Sequence, residues 1–165
     1  MAALAYVGGY FVGAGISFTA DNWYYVAMNK KKLYVGCAIN NLSPEQRKKF
    51  FVDVSRLKDD LRAHFEVLDF VTDPTATPRD IYRRDIRECV ETADFMLAIC
   101  DHASTGMGYE MATAIEYKGI PVLAVAHADS SVSKLIRGID NRGFSFKQYR
   151  DFSDILPLAL EAFRP

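Results

Sequence analysis

Apolar runs of strand length alternate along this chain with longer segments that have a helical period. The predicted strands are 33–39, 65–71, 94–100, 120–126 and 144–149, of which the first, third and fourth are apolar almost throughout. The central runs show no regular polar alternation, which is typical of strands buried on both faces of a parallel sheet. We therefore predict an α/β fold: a doubly wound, mostly parallel five-stranded sheet with helices on both faces, of the Rossmann or flavodoxin type.

Capping residues mark the predicted helix boundaries. Ser43 and Gln46 frame a proline, which predicts a capping box at the start of a helix over 44–64. Another helix is predicted from about Gly108 to Lys118, with Gly119 as its C-cap. Further helices are predicted over 78–93 and 153–163.

The first 20 residues carry no charge and include four glycines. A membrane span needs about 20 apolar residues, and the glycines weaken that interpretation. A signal peptide begins with a basic segment, and none precedes this apolar stretch. We favour a third interpretation, in which residues 1–28 are an apolar extension that packs on the domain or on a partner. Residues 29–165 then form the α/β domain.

The charge balance narrows the classes of partner. Lys+Arg 20 against Asp+Glu 21 gives a net charge of -1, so no basic field favours a nucleic acid or an acidic membrane surface. The three cysteines have no CxxC spacing, and the three histidines form no metal-ligand pattern. We therefore expect a cytoplasmic protein with reduced thiols, no metal and no cofactor.

The stretch from Asp94 to Glu110 carries the candidate chemistry. Its apolar strand leads into Ser104-Thr-Gly106-Met-Gly108, interpreted as a glycine loop that opens a helix with Glu110 in the first turn. Glycines let a backbone approach a ligand, and a helix start attracts anions. The loop lacks the third glycine of a dinucleotide fingerprint and the lysine of a phosphate loop. Glu110 is then either a residue that stabilises the helix dipole or a catalytic carboxylate.

A second carboxylate, Asp85, edges the apolar face of the helix before the central strand. It is either paired with a nearby arginine or turned into a cleft, and the pattern alone favours the pair. In doubly wound sheets, ligands bind beyond the carboxyl ends of the strands, where the strand order reverses. We expect Ala38 and Ile39, the loop at 104–108 and the loop at 130–133 to converge there.

These motifs together resemble the nucleoside 2-deoxyribosyltransferase superfamily, most closely its branch of 2'-deoxynucleoside 5'-monophosphate N-glycosidases. The matching pieces are Tyr34 to Asn40, Asp85, Ala93-Asp94, Ser104 to Glu110 and Ser133 to Gly138. They follow one another in the same order and at fitting intervals from about residue 33 to residue 138. The combination is therefore more specific than any one piece.

The resemblance implies an enzyme that cleaves the N-glycosidic bond of a (deoxy)nucleoside 5'-monophosphate and releases free base and sugar phosphate. Glu110 matches the nucleophile, which attacks the anomeric carbon and forms a covalent glycosyl-enzyme. Asp85 matches the carboxylate that hands a proton to the leaving base or activates water. Tyr34 matches the tyrosine whose hydroxyl orients the nucleophile.

The resemblance also implies a binding site for the substrate, which is a small-molecule nucleotide or nucleoside. The matching residues are Ala38, Ile39, Asn40, Ser104, Gly106, Gly108 and Ser133. Ser104, Gly106 and Ser133 match the phosphate contacts of that branch. Because the equivalent of Ser133 comes from the neighbouring subunit there, we expect a homodimer.

The chain departs from the branch after the first strand. Cys37-Ala38-Ile39-Asn40 stands where the branch has Gly-Ser-Ile-Arg, so a bidentate phosphate partner and a hydroxyl donor are missing. Two alternatives therefore stay open: a nucleoside 2-deoxyribosyltransferase that exchanges bases, and a non-catalytic nucleotide-sensing module. A cytokinin-type phosphoribohydrolase is disfavoured, because its Pro-Gly-Gly run is absent from this sequence.

Overall fold

Two sheets are present in the residues that the computed structural model describes, which are 5–7, 10–13, 16–19, 30–38, 42–68 and 75–164. The strands are β1 (Ala5–Val7), β2 (Tyr10–Gly13), β3 (Ile16–Thr19), β4 (Lys32–Cys37), β5 (Glu66–Leu68), β6 (Phe95–Ile99), β7 (Val122–His127) and β8 (Phe144–Tyr149). The larger sheet has the order β5-β4-β6-β7-β8, and each neighbouring pair is parallel. The predicted fold class is confirmed, and the strand order reverses between β4 and β6.

Helices connect the strands of this sheet. They are α1 (Pro44–Leu61), α2 (Pro78–Tyr82), α3 (Thr105–Ala112), α4 (Lys134–Arg137) and α5 (Ile155–Ala162). Two π-helical segments, π1 (Arg83–Val90) and π2 (Thr113–Lys118), continue α2 and α3, and a 3₁₀ turn, Phe152–Asp154, leads into α5. The π-helical widening was not predicted, because hydrophobic spacing does not distinguish a π segment from an α-helix over two turns.

The sheet divides the hydrophobic core into two layers. On one face, Met96 and Ala98 of β6 pack with residues of π1 and α3. On the other face, Leu97 and Ile99 pack with residues of α1 and α5. Successive side chains of a strand point to opposite faces, so an unbroken apolar run serves both layers.

Local capping signals behave as the sequence predicted. The Ser43 Oγ accepts a hydrogen bond from the Gln46 amide at 3.2 Å, and the Gln46 side chain accepts one from the Ser43 amide at 3.0 Å. This capping box starts α1 and confirms the prediction. Gly119 ends π2 with a φ of 67°, a left-handed conformation that glycine adopts without steric cost. The predicted C-cap is also confirmed.

The contacts divide the chain into two compact units, Met1–Lys30 and Lys31–Pro165. The first unit contains an antiparallel sheet of order β1-β2-β3, in which Val7 pairs with Tyr10 and Gly13 pairs with Ile16. The sequence pattern predicted no strands there, although aromatic and β-branched residues dominate these short segments. Across the described ranges, we find no helix with the length and apolar character that a membrane crossing requires.

Candidate active site

Glu110 lies on α3, which starts earlier than the sequence predicted. Ser104 is the N-cap, and its Oγ accepts a hydrogen bond from the Met107 amide at 3.2 Å. The predicted start near Gly108 is therefore wrong: Gly106 and Gly108 are helical, and Glu110 lies in the second turn. A serine cap stabilises a helix by about 1 kcal/mol, comparable with the roughly 1 kcal/mol that each glycine costs. Burial of Met107 in the core adds to the cap.

Glu110 reaches across to the first strand of the large sheet. The Tyr34 hydroxyl, on β4, donates a hydrogen bond to Glu110 Oε2 at 3.0 Å. Tyr34 is only 2% exposed, so its ring is fixed by packing and its hydroxyl holds the carboxylate in one orientation. Burial, together with the negative charge of Glu110, raises the pKa of Tyr34 well above its usual value.

Gly36 makes this close approach of strand and helix possible. A methyl group at this position would lie 2.9 Å from Met107 Cε and 3.1 Å from Glu110 Oε2. The space at Gly36 is filled by the side chains of α3.

Asp85 is paired with an arginine and also lies within electrostatic range of Glu110. The Arg84 Nε donates a hydrogen bond to Asp85 Oδ1 at 2.7 Å, and the Asp85 side chain is 16% exposed. This bond raises the pKa of Arg84. The charge of Asp85 in turn raises the pKa of Glu110. The two interpretations of Asp85 are therefore compatible, since one carboxylate makes the ion pair and edges the candidate site.

The surroundings of Glu110 raise the pKa of its carboxyl group to about 7. Burial is the main cause, because it penalises the charged form, and the negative charge of Asp85 acts in the same direction. The Tyr34 hydrogen bond and the Arg84 cation oppose this rise. The titratable groups that interact with the Glu110 carboxyl are Tyr34 and Cys37 from β4 and Arg84, Asp85 and Cys89 from π1. A carboxyl group that titrates near neutrality is a marker of functional sites.

Replacing Tyr34 with phenylalanine is expected to raise the pKa of Glu110 further above its value of about 7. The hydroxyl stabilises the carboxylate, and the phenylalanine ring keeps the packing while removing the donor. An NMR titration of the Glu110 side chain checks this directly. Tyr117→Phe is the matched control, because Tyr117 is 89% exposed on π2. A Glu110 pKa that does not change in Tyr34→Phe would contradict the role assigned to the hydroxyl.

A cavity of about 460 Å³ joins two of the three residues that the resemblance assigns to phosphate, Ser104 and Ser133. Ser104, Gly108 and Ser133 are part of its lining, together with Ser131 and Met107. Ser133 caps α4, and its Oγ accepts a hydrogen bond from the Leu135 amide at 3.2 Å. Each serine hydroxyl keeps its own proton to donate. Glu110 and Asp85 are not among the described residues that line this cavity.

Gly106 and Ala38 are the remaining candidate residues that the structure describes. Gly106 lies between Ser104 and Glu110, because a methyl group there would be 3.6 Å from Ser104 Oγ and 3.9 Å from Glu110 Oε1. Ala38 follows β4 and is buried. Ile39 and Asn40 lie outside the described residues. Asn40 is the position at which the related branch has an arginine. The structure thus brings Tyr34, Asp85 and Glu110 together and places Ser104 with Ser133.

Asp94 has a different place from the one the central motif suggested. It lies at the amino end of β6, where its carboxylate accepts a hydrogen bond from the Lys32 amide at 2.8 Å and pairs with Lys31 at 3.4 Å. The candidate site is at the carboxyl end of the strands, so Asp94 links the starts of β4 and β6 instead. Within the described ranges, no group of His, Cys, Asp and Glu side chains could hold a metal ion.

Sequence reasoning missed the roles of Gly36, Met107 and Arg84 in this site. Gly36 and Met107 fall within the segments that match the family, and only the structure shows that both lie near Glu110. Arg84 was one of three arginines near Asp85. The structure shows that Arg84, the residue directly before Asp85 in the chain, is the one that pairs with it.

Comparison with known proteins agrees with the family that the motifs suggested. No protein-family model matches the chain. It is 38% identical over 82 residues to a Thermofilum pendens protein named "Putative 2'-deoxynucleoside 5'-phosphate N-hydrolase 1", a match that covers 48% of this chain and 56% of the relative. Relatives of the same name are 40% identical over 62 residues in Methanococcoides burtonii (38% of this chain, 49% of the relative) and 30% identical over 93 residues in Methanosarcina mazei (56% of each). The resemblance to this branch is confirmed. The chain spans about half the length of the curated relatives it matches.

A solved structure shares the fold. The CMP N-glycosidase BcmB of Clostridium botulinum superposes with a TM-score of 0.58 and 19% sequence identity, over 79% of this chain and 99% of that one. At this identity the likeness shows the architecture alone. It agrees with the five-stranded parallel sheet and its flanking helices.

Proposed function

We propose that this protein is an N-glycosidase that hydrolyses a (deoxy)nucleoside 5'-monophosphate to free base and sugar phosphate. The observation that carries the proposal is the Glu110 carboxylate, hydrogen-bonded by Tyr34 at 3.0 Å beside a second carboxylate, Asp85. The names of the relatives support the substrate class. Neither step of the reaction requires a metal or an organic cofactor.

The proposed reaction has two steps. In the first, a Glu110 oxygen bonds to the anomeric carbon as the carbon–nitrogen bond breaks, and the base leaves with the bonding electron pair. The negative charge of Glu110 stabilises the positive charge that grows on the sugar. In the second, water attacks the anomeric carbon, Asp85 accepts its proton, and Glu110 is released. The proton that Asp85 gains is then available to the base, so atoms and charge balance.

Ser104, Gly106 and Ser133 are proposed to bind the 5'-phosphate. Their support is the cavity that Ser104 and Ser133 share and the N–H groups at the start of α3, which attract anions. We also propose a homodimer, which the resemblance implies. Mixing Glu110→Gln chains with Ser133→Ala chains decides which copy supplies the serine: restored activity assigns Ser133 to the partner, and inactivity assigns it to the same chain.

The test is a panel of nucleosides and 5'-monophosphates, with free base measured by chromatography. Release of base from monophosphates, with sugar phosphate as the second product, supports the proposal. The alternative is a 2-deoxyribosyltransferase, which is favoured because Asn40 stands where the branch has an arginine. Adding a second free base to the reaction tests this alternative. Appearance of an exchanged nucleoside would support that alternative. Binding of an intact nucleotide without turnover would instead support a sensing module.

The pH dependence of the reaction follows from the pKa of Glu110. The nucleophile must be ionised, and its pKa of about 7 means that protonation removes activity as the pH falls. We expect kcat/KM to fall by roughly fiftyfold from pH 7 to pH 5, whereas an ordinary glutamate would stay mostly ionised over that range. Initial rates in buffers of constant ionic strength measure this. A flat profile down to pH 5 would contradict the perturbed carboxyl group.

A further inference from the structure

The contact between β4 and α3 contains a pair of residues whose sizes are complementary. Gly36 leaves an open position on β4, and the end of the Met107 side chain fills it beside Glu110. We propose that Gly36 and Met107 are positioning residues, which together hold the Glu110 carboxylate in its reactive orientation. The kinetic part of this inference rests on the proposed function. The structural part concerns the carboxyl group itself and can be measured in the free protein.

The distances leave little tolerance around Glu110 Oε2. A methyl group on Gly36 would lie 2.9 Å from Met107 Cε, 3.3 Å from Met107 Sδ and 3.1 Å from Glu110 Oε2. The first distance is shorter than carbon atoms tolerate, so the flexible methionine has to move. The third requires the carboxylate to shift by a few tenths of an ångström. Met107 is buried in the core but also lines the cavity of about 460 Å³, so its flexible end can give way, and the contact of 3.1 Å with the carboxylate is the one that constrains an added methyl group.

The two carboxylate oxygens have different surroundings as a result. Oε2 accepts the hydrogen bond from Tyr34 and faces Gly36 and Met107. Oε1 lies toward Gly106, near the start of α3. The contact with Gly36 and Met107 therefore fixes Oε2 and leaves Oε1 as the oxygen that attacks. Displacing this contact changes the direction of Oε1 without removing any chemical group.

The test is a double-mutant cycle on the full chain, with Gly36→Ala, Met107→Val and both together. Valine lacks the Sδ and Cε atoms, so it makes room for the methyl group that Gly36→Ala adds. We expect Gly36→Ala to lower kcat roughly tenfold to a hundredfold with little change in KM, because a misplaced reacting group slows chemistry more than binding. We expect Met107→Val to lower kcat as well, and the double variant to recover most of the loss. Such recovery is a coupling between the two sites.

The pKa of Glu110, measured by NMR titration, is the readout that does not depend on activity. Gly36→Ala is expected to weaken the Tyr34 hydrogen bond and so to raise the pKa of Glu110, and the double variant is expected to reverse the rise. Gly143→Ala is the control, because a methyl group there makes contacts of 3.4 Å or more near Ile120, away from Glu110. An unchanged kcat and Glu110 pKa in Gly36→Ala overturn the inference, and so do effects that simply add in the folded double variant. If the wild-type protein hydrolyses no nucleotide, the proposed function fails, and the titration still decides the positioning.

Discussion

Glu110→Gln is expected to lower base release by roughly 10³-fold or more while nucleotide binding is retained. Glutamine keeps the size of the side chain and can still accept the Tyr34 hydrogen bond, which spans 3.0 Å in the wild-type protein. It carries no negative charge to stabilise the sugar cation and forms no stable ester with the anomeric carbon. Chromatography measures the free base, and calorimetry with the intact monophosphate measures binding.

Glu116→Gln is the matched control for this substitution. Glu116 lies on π2, in the same continuous helix, and is exposed. Its replacement removes an equal charge and should leave the rate within a factor of two. Hydrolysis at the wild-type rate in Glu110→Gln would refute the assignment of the nucleophile. Loss of both hydrolysis and binding would assign Glu110 to the binding of the substrate.

A stability measurement on the same variant separates lost chemistry from lost structure. The folded-state pKa of Glu110 is raised from 4.5 to about 7, so the folded protein favours the protonated form. The contribution of protonated Glu110 to the free energy of unfolding is fully present below pH 4.5 and is lost as the pH rises through 7. Above pH 7 the buried charge then costs on the order of 3 kcal/mol. Glu110→Gln should therefore raise the free energy of unfolding at pH 8 and have little effect at pH 4.

The parts of the fold that local chemistry dictates could be predicted from the sequence. Ser43 with Gln46, and Gly119 after its helix, have specific backbone partners within a few residues, so their patterns are informative. Most strands of the larger sheet followed from apolar runs, whereas β1, β2 and β3 were not predicted. The start of α3 could not be predicted, because two glycines there suggest a loop while the cap of Ser104 stabilises a helix.

The candidate site was less accessible to sequence reasoning, because it depends on contacts between distant residues. Tyr34 and Glu110 were linked through the resemblance, and their side chains lie 3.0 Å apart. The space at Gly36 is shaped by Met107, and nothing in either residue's neighbourhood in the sequence indicates the other. Asp94 shows the converse: it belongs to the same motif as Glu110 but lies at the opposite end of β6.

Asp85→Asn is expected to slow hydrolysis by roughly 10²–10⁴-fold, the range for a lost acid–base group. Asparagine occupies the same volume and can still accept the hydrogen bond from Arg84, so the local packing is retained. It cannot take a proton from water. The substitution also removes the negative charge of Asp85, which raises the pKa of Glu110. The pKa of Glu110 should therefore fall, and the acidic limb of the pH–rate profile should move to lower pH.

A lower rate together with an acidic limb that moves to lower pH distinguishes an acid–base role of Asp85 from damage to the fold. The control is Glu88→Gln on the same helix, since Glu88 is 59% exposed and pairs with Arg83 at 3.3 Å.

If Asp85 activates water, the Asp85→Asn variant should release one equivalent of base rapidly and then stall as a glycosyl-enzyme. Intact-protein mass spectrometry would detect the added sugar phosphate on Glu110. If Asp85 instead protonates the leaving base, the first step is slow, and neither the burst nor the adduct forms. An unchanged rate would leave Asp85 as the ion-pair partner of Arg84 alone, and hydrolysis would then proceed without a second carboxylate.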